Sequence, residues 1–215
     1  MIRVTLSRPW LIADLAQEMR VLSWAPHRPG LVLARQVIWR EVRDADLPEG
    51  LDAAAWLARE MAAISRADAV AMLTSRNVGK HSLIQAESGD TKASCLATVG
   101  LSNAERVGHR QPVLAESHGT VNLLVALSQG LGTAAMTEAM SIAAEARTAA
   151  IIAHGPDLPE GPATGTGTDC IALACPFGDR AYAGLHTEIG EVIGRAVYDA
   201  VARGTRDWMT TEAPR

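Results

Sequence analysis

The sequence predicts an α+β fold, a mixed or antiparallel sheet packed with helices as a layered α/β sandwich in a single domain. Three observations predict it. Several apolar runs of strand length precede the first helix. The later strands and helices lack the strict strand–helix alternation of a doubly wound parallel sheet. The chain of 215 residues, 48% hydrophobic and 20% charged, is long enough to bury one sizeable core.

The elements follow in order. Residues 2–6 (IRVTL) and 19–25 (MRVLSWA) carry branched and apolar residues at strand-like spacing. The turn PHRPG (26–30) leads into a longer strand over 31–42, and DADLPEG (44–50) reads as a loop. Residues 51–66 predict a helix: Asp52 can cap it, and Leu51, Ala55, Leu57, Met61 and Ile64 form its apolar stripe. Strands are expected at 69–75, 81–88 and 94–103, with a turn at 88–93. Residues 104–112 have no periodicity and read as a loop. A strand at 119–128 precedes the clearest helix, 133–153, rich in Ala, Met, Glu and Arg and stopped by Gly155 and Pro156. A loop at 157–167 feeds a buried strand at 170–176. The last helix is expected over 185–203, so the domain is read as 1–203 and 204–215 as a frayed tail.

Composition narrows the function. The net charge of −4 argues against a nucleic-acid binder, which needs basic residues to displace counterions from phosphates. The start MIRVTLSRPWLIADL is interrupted by Arg8 and Asp14 and does not read as a signal peptide. No run of 18 uncharged apolar residues predicts a membrane span, so the expected compartment is the cytoplasm. Cys95, Cys170 and Cys175 are odd in number and read as buried thiols rather than a disulfide framework. There is no HExxH and no CxxC, and the histidines (His27, His81, His109, His118, His154, His186) are scattered, so no metal or other cofactor is expected.

Several apolar runs end in small polar groups: Thr74-Ser75, Ser102-Asn103 and, at the start of a strand, Gly119-Thr120. Such ends can converge on one rim. The stretch ATGTGTD (163–169) is denser still in hydroxyls. It lacks the lysine of a Walker loop, and it precedes a strand rather than a helix, so neither phosphate-binding pattern fits. Thr164, Thr166 and Thr168 offer donors and acceptors, while Gly165 and Gly167 let a ligand approach the backbone. A turn feeding the next strand remains open, and Asp169 can orient, bind or cap. His186, where YAGLHTEIG (182–190) enters a helix, suits either a general base or a cap. Glu138 and Glu145 share one helix face two turns apart, as acid, base or solvated surface, and Arg147 can pair with nearby carboxylates.

Taken together, the segments VLSWAP (21–26), AMLTS (71–75), VGLSNA (99–104), GTVN (119–122), AEARTAA (144–150), ATGTGTD and YAGLHTEIG resemble the adenosylcobinamide amidohydrolase family, in the family's order and at compatible spacing. Two departures stand out. HRPG (27–30) replaces a Gly-Gly turn, and Ala144-Glu145-Ala146-Arg147 replaces the family's Thr-Glu-Ala-Lys, which removes a hydroxyl and takes Ala144 out of any catalytic role.

The resemblance implies hydrolysis of the amide joining the aminopropanol arm to the corrin ring of adenosylcobinamide. The expected products are adenosylcobyric acid and 1-amino-2-propanol, for corrinoid salvage in cobalamin biosynthesis. The corrinoid is then a small-molecule substrate and not a prosthetic group, because Asp-x-His-x-x-Gly is missing. On this reading His186, Glu145 and Asp169 carry catalysis by assisting water. Ser75, Ser102, Asn103, Gly119, Thr120, Asn122 and Thr164 to Thr168 face the substrate, and Trp24 or Leu101 covers an apolar ring face. Self-cleavage exposing an N-terminal Thr120 or Thr168 stays open, as do a corrinoid carrier without turnover and a homo-oligomer.

Overall fold

The computed structural model describes residues 2–109 and 119–213; His118 and the end of the 104–112 loop lie outside them. The chain runs β1 (Arg3–Ser7), β2 (Trp10–Ser23), β3 (Gly30–Glu41), a short 3-10 turn (Asp44–Asp46), α1 (Ala53–Ala63), β4 (Val70–Thr74), β5 (His81–Ser88), β6 (Thr91–Val99) and β7 (Ala104–Glu105). It continues through β8 (Val121–Leu127), α2 (Thr133–His154), β9 (Asp157–Leu158), β10 (Gly161–Pro162), β11 (Gly165–Thr166), β12 (Cys170–Cys175) and α3 (Glu188–Thr211).

The expected mixed sheet is present. Its order is β4-β3-β2-β12-β8-β6-β5, with β1 paired to β2. Two neighbouring pairs are parallel, β3 with β4 and β8 with β12. Each is joined by a helical crossover, α1 or α2, because parallel neighbours need a long return path. The remaining ladders of this sheet are antiparallel. The β5–β6 hairpin closes through Gly89, whose φ of 54° suits glycine.

The sheet curls on itself. β4 and β8 are four strand positions apart, about 19 Å in a flat sheet. Yet the Asn122 amide on β8 donates to the Leu73 carbonyl on β4 at 2.7 Å. Inside the curl, Trp39, Met72, Leu96 and Leu124 form one apolar core. Outside it, α2 and α3 pack on Leu123, Val125, Ile171 and Leu173, and α1 packs on Ile38 and Ala71. This two-sided burial explains why β12, and β8 apart from Asn122, read as continuous apolar runs rather than alternating ones.

Local chemistry fixes the helix ends. The Asp52 carboxylate accepts from the N–H groups of Ala54 and Ala55, as its capping position predicts. Thr187 Oγ1 accepts from Gly190 N at 3.0 Å, and Glu188 and Glu191 lie in the favourable first turn of α3.

One boundary is corrected. The expected frayed tail from Gly204 is helical to Thr211, with Gly204, Thr205 and Trp208 buried. Gly204 has no side chain because a Cβ there would lie 2.7 Å from Val99, so α3 approaches β6 closely at that point. Asp207 and Glu212 then pair with Arg76, whose side chain is 1% exposed. Among the described residues no helix is long and apolar enough to cross a membrane.

Candidate functional site

The polar strand ends do converge. β6 and β8 are paired so that Val99 faces Val121, and β12 runs beside β8 with Cys170 opposite Asn122. The segments that leave β6, enter β8 and enter β12 therefore share one end of the sheet. The curl adds the end of β4: a Cβ on Gly100 would lie 3.7 Å from Arg76 Cβ, and Gly100 N donates to the Thr120 carbonyl at 3.0 Å. Gly119 fits this corner only as glycine, because a Cβ would lie 2.5 Å from the Asn103 side-chain oxygen and 2.8 Å from Ser102 N. Thr74 is buried and its hydroxyl accepts from Arg76 N; Ser75 follows it on the same rim.

Asp169 is the most heavily bonded group at this end. Its Oδ2 accepts from Arg147 Nη1 at 2.5 Å and from Thr166 N at 3.1 Å. Its Oδ1 accepts from Val121 N at 3.0 Å and from the Thr166 hydroxyl at 2.5 Å. Its own carbonyl accepts from the Trp24 indole at 2.7 Å. Burial pushes the carboxyl above its ordinary range, against the opposing pull of Arg147 and the Thr166 and Val121 donors. With two donors on each oxygen, Asp169 holds the loop and Arg147 in place.

The other threonines of ATGTGTD are also assigned. Thr168 donates to the Gly119 carbonyl at 2.8 Å and meets the Thr120 hydroxyl at 3.0 Å. The Thr164 hydroxyl accepts from Val107 N at 2.8 Å and donates to the Glu105 carbonyl at 3.3 Å. β11 pairs with β7, so the 163–169 loop is stitched to residues 104–107, which the sequence showed only as a patternless loop.

These segments surround an open cleft of about 530 Å³. One wall is Glu105, Arg106 and His109; the other is Thr164, Thr166, Arg147 and Asp169. The glycines of the loop make room for charge. A Cβ on Gly165 would lie 2.5 Å from Asp169 Oδ2, and one on Gly167 would lie 3.0 Å from Glu105 Oε1. Trp24, half exposed, and Val107, 78% exposed, stand at this end as apolar surface. Leu101, expected as a possible ring cover, is instead core at 2% exposed.

His186 and Glu145 are not brought to this cleft. The Glu188 carboxylate accepts from the Thr91 hydroxyl at 2.9 Å, so α3 starts at the β5–β6 turn, the opposite end of β6 from Val99. That separation is eight strand steps, about 27 Å. His186 is exposed there, two residues before α3. Glu145 is exposed because Arg147 faces the cleft, and two residues along a helix turn through about 200°. Glu138 accepts from Ala183 N at 2.6 Å and so holds the chain before α3. Asn122 is fully buried and ties β8 to β4, a structural position rather than a surface one.

The three cysteines are free and buried. Burial raises the Cys95 thiol, and burial with the charge of Asp169 pushes Cys170 up to about 12, which disfavours a thiolate nucleophile beside the cleft.

The ordered motifs and the cleft they assemble agree with the comparison to known proteins. Residues 1–213 match the adenosylcobinamide amidohydrolase family. The chain belongs to that family. It is 32% identical over 126 residues to an adenosylcobinamide amidohydrolase of Halobacterium salinarum, covering 55% of this chain and 52% of that protein. It is 39% identical over 90 residues to an uncharacterized protein of Methanocaldococcus jannaschii, covering 40% of this chain and 35% of that one. The matches thus span about half or less of these relatives' lengths. For this family member, the sequence had named Asp169, its threonines and the Arg147 pairing. Glu105, Arg106 and His109 were missed, because only the β7–β11 pairing brings them to the cleft.

Proposed function

We propose that the protein hydrolyses the amide between the aminopropanol arm and the corrin ring of adenosylcobinamide, releasing adenosylcobyric acid and 1-amino-2-propanol in corrinoid salvage. Family membership supports the substrate class. The observation that carries the site is the Arg147–Asp169 pair, which closes a cleft built from the family-like segments around residues 99–104, 119–122, 144–150 and 163–169.

The geometry suits amide hydrolysis in three respects. Arg147 is fixed by Asp169, and its guanidinium lines the cleft, with Nε buried and unbonded among the described residues. A fixed cation there stabilises the negative charge that develops on the amide oxygen. The loop backbone, and the Thr166 hydroxyl as an acceptor while its proton goes to Asp169, suit the amide groups that rim a corrin. Trp24 and Val107 offer apolar surface for the ring outside the cleft, while the narrower space takes the arm. Thr120 and Thr168 bond to one another, and Thr168 donates to the Gly119 carbonyl, so they serve here as the frame of the rim.

Incubating purified protein with adenosylcobinamide tests the reading. Formation of adenosylcobyric acid with one equivalent of aminopropanol is expected. Tight binding without a new carboxylate would make the protein a carrier and overturn the enzyme reading. Intact mass is expected at a single value near 22.7 kDa; two fragments meeting at Thr120 or Thr168 would replace direct water attack by an N-terminal threonine mechanism.

A further inference from the structure

Hydrolysis needs a group that takes a proton from water, and Asp169 already accepts two donors on each oxygen. The described lining of the cleft offers two other titratable groups that are not guanidinium, Glu105 and His109. Glu105 is the better placed. Its backbone is pinned: Glu105 pairs with Gly165 across β7 and β11, and its carbonyl accepts from Thr164 N at 2.8 Å. Its side chain is half-buried, and no described residue gives its carboxylate a hydrogen bond or an ion pair.

The second glycine of ATGTGTD bears on this carboxylate. Gly165 leaves space for Asp169 and Arg147, whereas Gly167 leaves space for Glu105, whose Oε1 would lie 3.0 Å from any Cβ at that position. The loop thus serves two carboxylates of different kinds. One is bonded on both oxygens to hold Arg147. The other is held by its backbone alone, with its oxygens available to the cleft.

We propose that Glu105 is the catalytic base of this family member, an assignment that rests on the amide-hydrolase reading above. Glu105 accepts a proton from the attacking water as its oxygen bonds to the amide carbon. The carbonyl oxygen takes the negative charge beside Arg147. When the carbon–nitrogen bond breaks, the proton held by Glu105 passes to the departing nitrogen. Water is consumed, a carboxylic acid and an amine are formed, and Glu105 ends as it began. This proton transfer is worth about 10² to 10⁴ in rate.

Turnover of adenosylcobinamide by wild type, Glu105→Gln and Gly167→Ala, each checked for folding by circular dichroism, tests the assignment. Glu105→Gln should lose about 100-fold or more in kcat with KM changed by less than about threefold. Gly167→Ala should lower kcat in the same sense by pressing on the carboxylate, and it carries the test should Glu105→Gln fail to fold. Added formate should restore part of the turnover of Glu105→Ala, which a purely structural role would not allow. Glu105→Gln turning over within about threefold of wild type overturns the assignment and leaves the function standing. A wild type that forms no product overturns the functional reading, and the base with it.

Discussion

Two ends of the same sheet carry the two most specific stretches of the sequence, and they are built differently. At the Asp169 end, a buried carboxylate collects four donors from Arg147, Thr166 and Val121, and an open cleft results. At the His186 end, the chain before α3 is held by close backbone packing and one carboxylate. Gly130 meets Gly178, Gly190 meets Gly184, and Glu138 takes the Ala183 N–H. Phe177, Tyr182 and Leu185 are exposed there. The first end orders charge around a space, and the second orders backbone around a helix start. Catalysis of amide hydrolysis needs the former, because a charge already fixed in place acts on a developing oxyanion without reorganising.

The largest expected contrast comes from removing the organising charges. Arg147→Met leaves the Asp169 carboxylate buried and uncompensated, and urea titration should show a loss of about 3–5 kcal/mol. Its turnover should fall by about 100-fold or more. His186→Ala should change stability by no more than about 0.5 kcal/mol and kcat by no more than about threefold. A collapse of kcat in folded His186→Ala would break the comparison.

Glycine substitutions sharpen it. Gly165→Ala sets a methyl 2.5 Å from Asp169 Oδ2 and should lower kcat at least about tenfold. Gly178→Ala presses on the Gly130 backbone and should cost about 1–3 kcal/mol, with kcat of the folded fraction near wild type. Stability from thermal melts and kcat from product release separate the two outcomes. A smaller effect is expected for Glu138→Ala, which strips the Ala183 N–H of its acceptor: about 1 kcal/mol by denaturant titration, with turnover retained.

The smallest effect is a pH dependence. The folded-state pKa of Asp169 is raised by burial, so the folded protein takes up this proton before the unfolded chain does. The stability linked to this group is therefore present below its ordinary value near 3.8 and is lost as pH rises through the raised folded value. The melting temperature of wild type minus that of Asp169→Asn should increase on acidification across that interval. A difference that shrinks instead would mean that Arg147 outweighs burial.

Much of this was legible in the sequence, for identifiable reasons. The hairpin strand 81–88, the start of α2 and the Asp52 cap follow from local periodicity and turn chemistry, and the structure has them. The rim was visible as small polar residues at the ends of apolar runs, since such residues do not end a strand for packing reasons alone. The continuation of α3 past Gly204 was hidden, because a glycine reads as a stop unless the close approach of Val99 is known. The role of residues 104–107 was hidden too. Their two-residue ladder to β11 is a long-range pairing with no local signature. The separation of His186 from Asp169, by contrast, was within reach of the sequence. The strand at 170–176 lies between the two residues, so Asp169 enters it at one end and the chain toward His186 leaves from the other.

The location of the bound corrin ring tests the central claim most directly. Cobalt in the ring scatters anomalously, so a crystal of the protein with adenosylcobyric acid marks the ring by one peak. The peak is expected outside the Asp169 cleft, beside Trp24 and the 163–169 loop. A peak over Phe177, Tyr182 and His186 would place the chemistry at the other end of the sheet and contradict the account.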